Sequence, residues 1–279
     1  MDHFHFQSDA GLELLICEPF AAAGLLHAFT SRVGGVSPLP DAALNLGNFS
    51  QDSRENILEN RRRLRRSLGV EEWPLVTLRQ VHSPDIYHFD NPATVQATAD
   101  GENGPTADGV ITNLAQVLVA VQTADCLPIL LADLRTGAIA AVHAGWRGTL
   151  AGIVARTVDL MQQNFGSHPG DMLAAIGPAI GSCCFEVGPE VITRFTEKWD
   201  DADQLVSHRQ PGGKAHLDLP LANRLQLRQA GMADSSIFDC QLCTICHNHR
   251  FFSYRFELGA ERPVGRLMGV IGRRNVDVN

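Results

Sequence analysis

The sequence predicts a mixed α/β fold, read as one domain over residues 1–279. Three observations lead there. Short runs rich in Val, Ile, Leu and Ala, such as "VLVAVQ", "CLPILLAD" and "AIAAVHA", read as strands. Other stretches carry apolar residues at helical spacing and end on glycine. The tetrapeptide "LRTG" has hairpin chemistry between two of the strands, which favours a mixed sheet over a purely parallel one. No internal repeat or low-complexity linker divides the chain.

Taken in order, residues 33–48 and 96–109 read as loops, being rich in Gly, Pro and polar residues. Between them, "DSRENILENRRRLRRSLG" reads as a helix that Asp52 or Ser53 caps and Gly69 ends. Its arginines, Arg61, Arg62, Arg63, Arg65 and Arg66, suggest an anion-binding patch. A solvated face is the better expectation, because Glu59 lies three and four residues before Arg62 and Arg63. Strands are expected over 117–125, 126–133 and 138–146, and a helix over 148–166. A strand over 172–180, helices over 189–199 and 219–231, and strands over 236–240, 251–257 and 265–272 complete the chain.

A 44% hydrophobic, 19% charged composition suits an ordinary globular protein with a sizeable core. The formal charge of -8 argues against general binding to nucleic acid, although a local basic pocket still accommodates small anions. The longest apolar stretches are interrupted by Gln122, Asp125, Asp133 and Arg135, so no membrane span is expected. No cationic-then-apolar leader opens the sequence, and its cysteines number an odd seven. Together these point to a cytoplasmic protein with reduced thiols.

Cys126 sits where one strand begins, and His143 lies inside the next, before the small pair Ala144 and Gly145. If the hairpin closes around residues 135–137, the two stand roughly opposite each other. His82, at the end of a short apolar run in "LRQVHSPD", is a third candidate. Two imidazoles and a thiolate form a zinc set with an open fourth position, the catalytic type. The three are too far apart for a short-range motif, so a core thiol with two hydrogen-bonded histidines is the competing reading. Near the C-terminus, "DCQLCTICHNHR" places Cys240, Cys243, Cys246, His247 and His249 together. Its C-x-x-C spacings are half of a zinc ribbon, but no further C-x-x-C exists elsewhere, so reduced thiols are expected. Cys183 and Cys184 are expected as packed thiols.

The blocks "TSRVGGVS", "LNLG", "RQVHS", "ADGVIT", "TADCLPILLAD", "AAVHAGWRG", "AIGPAIGSCCFEVG", "CTICHNHRFFSYR" and "GRLMGVI" run in order over nearly the whole chain. They resemble the YfiH family, also called laccase-domain proteins, multicopper polyphenol oxidases, purine nucleoside phosphorylases or peptidoglycan editing factors. The resemblance implies metal ligands at His82, Cys126 and His143. It implies a single-domain layered sandwich with helices flanking packed mixed sheets, similar to toxin deamidases. It also implies phosphorolysis of adenosine, inosine and methylthioadenosine, with adenosine deamination as a second activity. The chain departs from the pattern at Phe256, where many members carry a second arginine, and in Cys240 and Cys246, which are not constant in the family.

Zinc in such a set polarises a bound oxygen, and copper can replace it. Deamination needs a proton carrier, and Asp125 beside Cys126 is the candidate. The H-x-E and P-C-x-x-C pair of the zinc base deaminases is missing. Phosphorolysis needs phosphate as co-substrate, and arginine suits it by donating paired hydrogen bonds. Arg32 and Arg147 are the expected anion binders, with Gly34 and Gly35 letting a loop approach the anion. Asn45 and Gln80 are expected on the ribose or base, and Trp146 in the core. True laccase chemistry needs more histidines, commonly in H-x-H pairs, and only residues 3–5 and 247–249 supply them. A Cys–His or zinc hydrolase editing cell-wall precursors and a non-enzymatic sensor of nucleotides or metal are the other classes weighed.

Overall fold

Two six-stranded sheets lie face to face with helices on both outer sides, in a computed structural model that describes residues 3–39, 42–47, 49–101, 104–199 and 202–275. The first sheet runs, in spatial order, Phe4–Asp9, Leu12–Cys17, Leu26–Thr30, Leu267–Gly272, Leu118–Thr123 and Leu75–Val76. The second runs Ile237–Asp239, Met172–Ile176, Leu127–Asp133, Ile139–Ala144, Gly109–Thr112 and Ile86–His88. Both mix parallel and antiparallel pairs. A small three-stranded sheet, Glu186–Val187, Ala215–Leu217 and Val206–Ser207, stands apart.

The side-chain period of two explains the layers. Along the 127–133 strand, Leu130 and Ala132 enter the core between the sheets with Phe29, Val119, Val121 and Ile271. Leu127, Ile129 and Leu131 point the other way, onto Val154, Val158 and Met161 of the Ile153–Phe165 helix. On the opposite outer face, Leu14, Ala120 and Val270 pack with Leu64 of the Arg54–Ser67 helix. Both faces of each sheet are therefore buried, which is why these strands read as unbroken apolar runs.

The expected elements hold with two differences, and the structure adds further short strands and helices that the sequence reading did not single out. The 148–166 helix is two, Trp146–Ala151 and Ile153–Phe165. Gly152 between them adopts φ +84, a left-handed conformation that ends the first helix. Residues 251–257 are not a strand. Ser253 caps a short helix, Tyr254–Gly259, by accepting from the Phe256 N–H, and Glu257 accepts from the Ser253 N–H in return. The structure also adds three strands within residues 4–30 that the patterning does not single out.

On the arginine-rich helix, Glu59 accepts from Arg62 and Arg63, Glu71 from Arg62 and Arg66, and Asp100 from Arg65. Arg61 is buried and donates to the Leu46 carbonyl. The charges face their own acids, as a solvated and paired surface should.

Candidate metal centre

The hairpin between the 127–133 and 139–144 strands is closed by Asp133, which accepts from the Arg135 and Thr136 N–H groups. Its register puts Leu127 opposite Ala144 and Pro128 opposite His143, so Cys126 and His143 meet at the end away from the turn. His82 arrives from the loop after Leu75–Val76. One ligand atom from each of His82, Cys126 and His143 lies within 4.8 Å of the others. The Cys126 Sγ to His82 Nε2 distance is 3.8 Å, and the two imidazoles meet edge to face at 4.9 Å between centroids.

Gly145 makes this approach possible. A Cβ on it would lie 3.0 Å from Cys126 Sγ and 3.1 Å from His82 Cδ2. Any side chain here would press on two of the three candidate ligands, the Cys126 sulfur and the His82 ring.

Asp108 organises the site, and the sequence reading missed it. Its carboxylate is fully buried, and Oδ1 lies 2.8 Å from His143 Nδ1. The same carboxylate accepts from the backbone N–H of Val81, His82 and Ser83 and from the Ser83 hydroxyl. It thereby holds His82 at φ +61, an uncommon conformation for histidine. With Nδ1 committed, His143 presents Nε2 to the centre, the usual arrangement of a metal-ligating histidine and its carboxylate. The available signal was an Asp-Gly pair directly before a strand, inside a segment that otherwise reads as loop.

The electrostatics agree with this donor set. Burial alone would raise the Cys126 thiol, but His143 and His82 overcome it and bring the pKa down to about 6. Burial alone would lower His143, but Cys126 and Asp108 raise it to about 9. A thiolate beside two imidazoles, one held by a buried carboxylate, fits a borderline-soft metal.

The centre lies on the wall of a cavity of about 550 Å³. Gln80, Gln122, Trp146, Phe185, Tyr254, Arg255 and Arg266 also line it. Gln80 faces the cavity while its amide bonds both the N–H and the carbonyl of Gln122. Trp146 is half-buried: it packs against the cluster of Phe195 and Leu219 and also lines the cavity, and Arg147 stacks over it at 4.4 Å.

Several expected roles change with the geometry. Arg32 donates to Glu257 and to the carbonyls of Asn248 and Leu39, and does not line the cavity. Gly34 and Gly35 are bare because the chain packs on itself: a Cβ would lie 2.1 Å from the Gly11 carbonyl oxygen or 2.0 Å from that of Ala43. Arg147 is exposed and opens onto a second groove, which it lines together with His82 and Arg194. Asn45 is buried; its amide donates to Asp52 and its Oδ1 accepts from the Arg266 N–H. Asp125 lines the cavity, and its two oxygens accept from the Thr244 hydroxyl and the Arg255 N–H, so it also braces a loop. The arginines on the cavity are Arg255 and Arg266. The sequence reading passed over both, and Arg266 could have been noticed as a charge set directly before a wholly apolar strand.

Of the H-x-H pairs, His5 is beside Glu18, and His247 and His249 stand with their rings 6.2 Å apart, away from the cavity. Among the described residues, neither pair joins a cluster of potential ligands. Nothing described resembles a trinuclear copper centre.

The fold and this centre define a mixed α/β protein with a His–Cys–His group able to hold one metal ion at the wall of a ligand-sized cavity. The chain belongs to the family described as multi-copper polyphenol oxidoreductase laccase, whose model matches residues 26–274. It is 38% identical over 259 residues to the purine nucleoside phosphorylase YlmD of Geobacillus stearothermophilus, covering 92% of each chain. It is 36% identical over 217 residues, 77% of this chain and 82% of the relative, to adenosine deaminase RL5 of an unknown prokaryotic organism. A solved structure of the hypothetical protein YfiH of Bacillus licheniformis superposes with a TM-score of 0.86 at 31% identity, covering 96% of this chain and 99% of that one.

Proposed function

We propose that the chain, acting as a single YfiH-like domain, is a purine nucleoside phosphorylase that also deaminates adenosine. Its substrates are adenosine, inosine and methylthioadenosine, each cleaved with phosphate to the free base and the ribose 1-phosphate. One observation carries this reading: a single cavity joins the His82–Cys126–His143 group to two arginines, Arg255 and Arg266, and to aromatic walls from Phe185 and Tyr254.

In phosphorolysis a phosphate oxygen bonds C1′ as the bond from C1′ to the base nitrogen breaks. The bonding pair leaves with the base, which must take up a proton. Arg266 is the residue we assign to phosphate. Burial pushes its pKa down against the opposing effect of Cys126, Tyr254, Asp125 and Glu257, and an anion bound in the cavity would further favour its charged form. Asn45 fixes the Arg266 backbone, and Asp125 fixes that of Arg255, so both arginines are held by buried groups. Gln80 has its amide committed to Gln122 and shapes the wall. His82, Cys126 and His143 are the ligands we assign to zinc, with copper able to replace it; when bound, the metal supplies a Lewis acid that polarises an oxygen. The free cysteines suit a reducing compartment, the cytoplasm, and no helix among the described residues is long and apolar enough to cross a membrane.

A second reading rests on the chain Cys126–His143–Asp108, which has the order of a nucleophile, a base and an orienting acid. Without metal, it would make a cysteine hydrolase for amides such as those of cell-wall precursors.

The test incubates zinc-loaded protein with adenosine, with and without phosphate, and separates the products. Adenine formed only with phosphate, and inosine formed without it, are expected. Arg266→Met should raise the KM for phosphate about 10–100-fold, whereas Arg32→Met should lower stability and leave that KM alone. Zinc-loaded protein that leaves adenosine untouched refutes the nucleoside reading and turns attention to amide substrates.

A further inference from the structure

Four cysteines converge about a second point, on the other side of the loops that brace Asp125. Cys183 and Cys184 lie in the turn after the 172–176 strand, and Cys243 and Cys246 in the turn after the 237–239 strand. This corrects two expectations. Cys183 is exposed and not packed, whereas Cys184 is half-buried and does pack against the cluster of Phe185 and Phe195. The C-x-x-C of residues 243–246 does have a second half, supplied by an adjacent pair some sixty positions earlier, which no linear motif shows. Cys240 is buried and takes no part.

The four Sγ atoms all lie within 4.8 Å of one another. Cys246 Sγ is 3.6 Å from Cys183 Sγ and 3.6 Å from Cys184 Sγ. Zinc–sulfur bonds of about 2.3 Å in a tetrahedron place sulfurs about 3.8 Å apart, close to these separations. Disulfide pairing is a poorer description, because Cys246 is equally near two partners and a disulfide needs about 2.05 Å. Gly181 is bare where the turns meet: a Cβ there would come within 3.3 Å of Cys183 Sγ and of Cys243 Cβ.

We propose that Cys183, Cys184, Cys243 and Cys246 form a closed, four-thiolate structural zinc site. Closed sets of four protein ligands are the structural type, leaving no position for substrate. The two turns are already joined by backbone, with Ala179 N–H donating to Leu242 and Thr244 N–H to Ala179. The ion locks that junction. Immediately beyond it, Ile180 N–H donates to the Asp125 carbonyl and the Thr244 hydroxyl to the Asp125 carboxylate, beside Cys126. Ile180 and Phe185 also line the catalytic cavity. The second zinc therefore stiffens the part of the wall that Ile180 and Phe185 form without entering the chemistry.

The experiment measures zinc per chain in protein purified under reducing conditions, for wild type, Cys126→Ala, and Cys183→Ser/Cys246→Ser. Two equivalents are expected in the wild type and one in each variant. Cobalt loaded into Cys126→Ala should show the intense sulfur-to-metal charge transfer and tetrahedral d–d absorption of a four-thiolate ion. On the wild type, a thiol reagent should find Cys183 and Cys246 protected despite their exposure, until a strong chelator is added. Zinc-free Cys126→Ala, or immediate reaction of those thiols without chelator, overturns the proposal. So does a Cys246 disulfide found by mass spectrometry in freshly purified, unoxidised protein. Because no arm depends on turnover, these results are independent of the substrate reading.

Discussion

Asp108 Oδ1 stands 2.8 Å from His143 Nδ1, and the same carboxylate accepts the backbone N–H of His82. One buried acid thus orients two of the three candidate metal ligands, one through its ring and the other through its backbone. Asp108→Asn would keep the shape but remove the charge, and its amide NH2 would face N–H donors. We expect metal affinity at the His82–Cys126–His143 centre to fall about 10–100-fold, read by competition with a chromogenic chelator. Unchanged affinity would mean that His143 is oriented by something else.

Gly145 tests the same centre by shape alone. Its φ of -72 suits any residue, so Gly145→Ala introduces no backbone strain. The added methyl would meet Cys126 Sγ and His82 Cδ2 at about van der Waals overlap, 3.0 and 3.1 Å. The variant should fold, with an unchanged far-ultraviolet spectrum, yet retain much less metal at this centre. Full occupancy would show that Cys126 and His82 can give way without losing the ion.

With the metal stripped, Cys126 should behave as an acidic thiol. Burial opposes ionisation, but His143 and His82 win and set the pKa near 6. Alkylation by iodoacetamide should therefore rise through pH 6 and level off by neutrality. In His143→Gln the rise should move towards the alkaline range of an ordinary thiol. Reloading zinc should protect Cys126 at every pH; continued rapid alkylation of zinc-loaded protein would favour the cysteine-hydrolase reading.

His27 makes stability depend on acid. It is buried, its Nε2 accepts from the Cys17 N–H, and its Nδ1 faces the Leu25 carbonyl. Burial lowers its pKa to about 4, while the unfolded chain protonates near 6.5. Between those values the unfolded state binds a proton that the folded state refuses, so stability is lost as pH falls from about 6.5 to 4. The loss from this one group should reach about 3 kcal/mol at pH 4. Urea unfolding of wild type and His27→Gln across this range should show a shallower slope in the variant. Parallel curves would assign the acid sensitivity elsewhere.

Much of this molecule is legible in its linear order, where the responsible forces are local. Glycine at Gly69 and Gly166, the cap at Ser53 and the Glu59 pairs mark helices because they act within one or two turns. The apolar runs and "LRTG" place Cys126 and His143 on adjoining strands because a hairpin brings near neighbours together. Other features required the folded chain. Arg32 and Arg266 look alike as lone arginines, and only packing gives the first a glutamate 225 positions away and the second a cavity. Asp108 acquires its role from a backbone segment 25 to 27 positions earlier and a ring 35 positions later. Cys183 and Cys184 meet Cys246 only because the strands preceding their turns pair side by side in one sheet. Sequence alone determined the residue types, the strands and helices that carry them, and the family pattern. Tertiary structure decided which distant side chains share one point in space, because contact energies depend on separation in three dimensions and not along the chain.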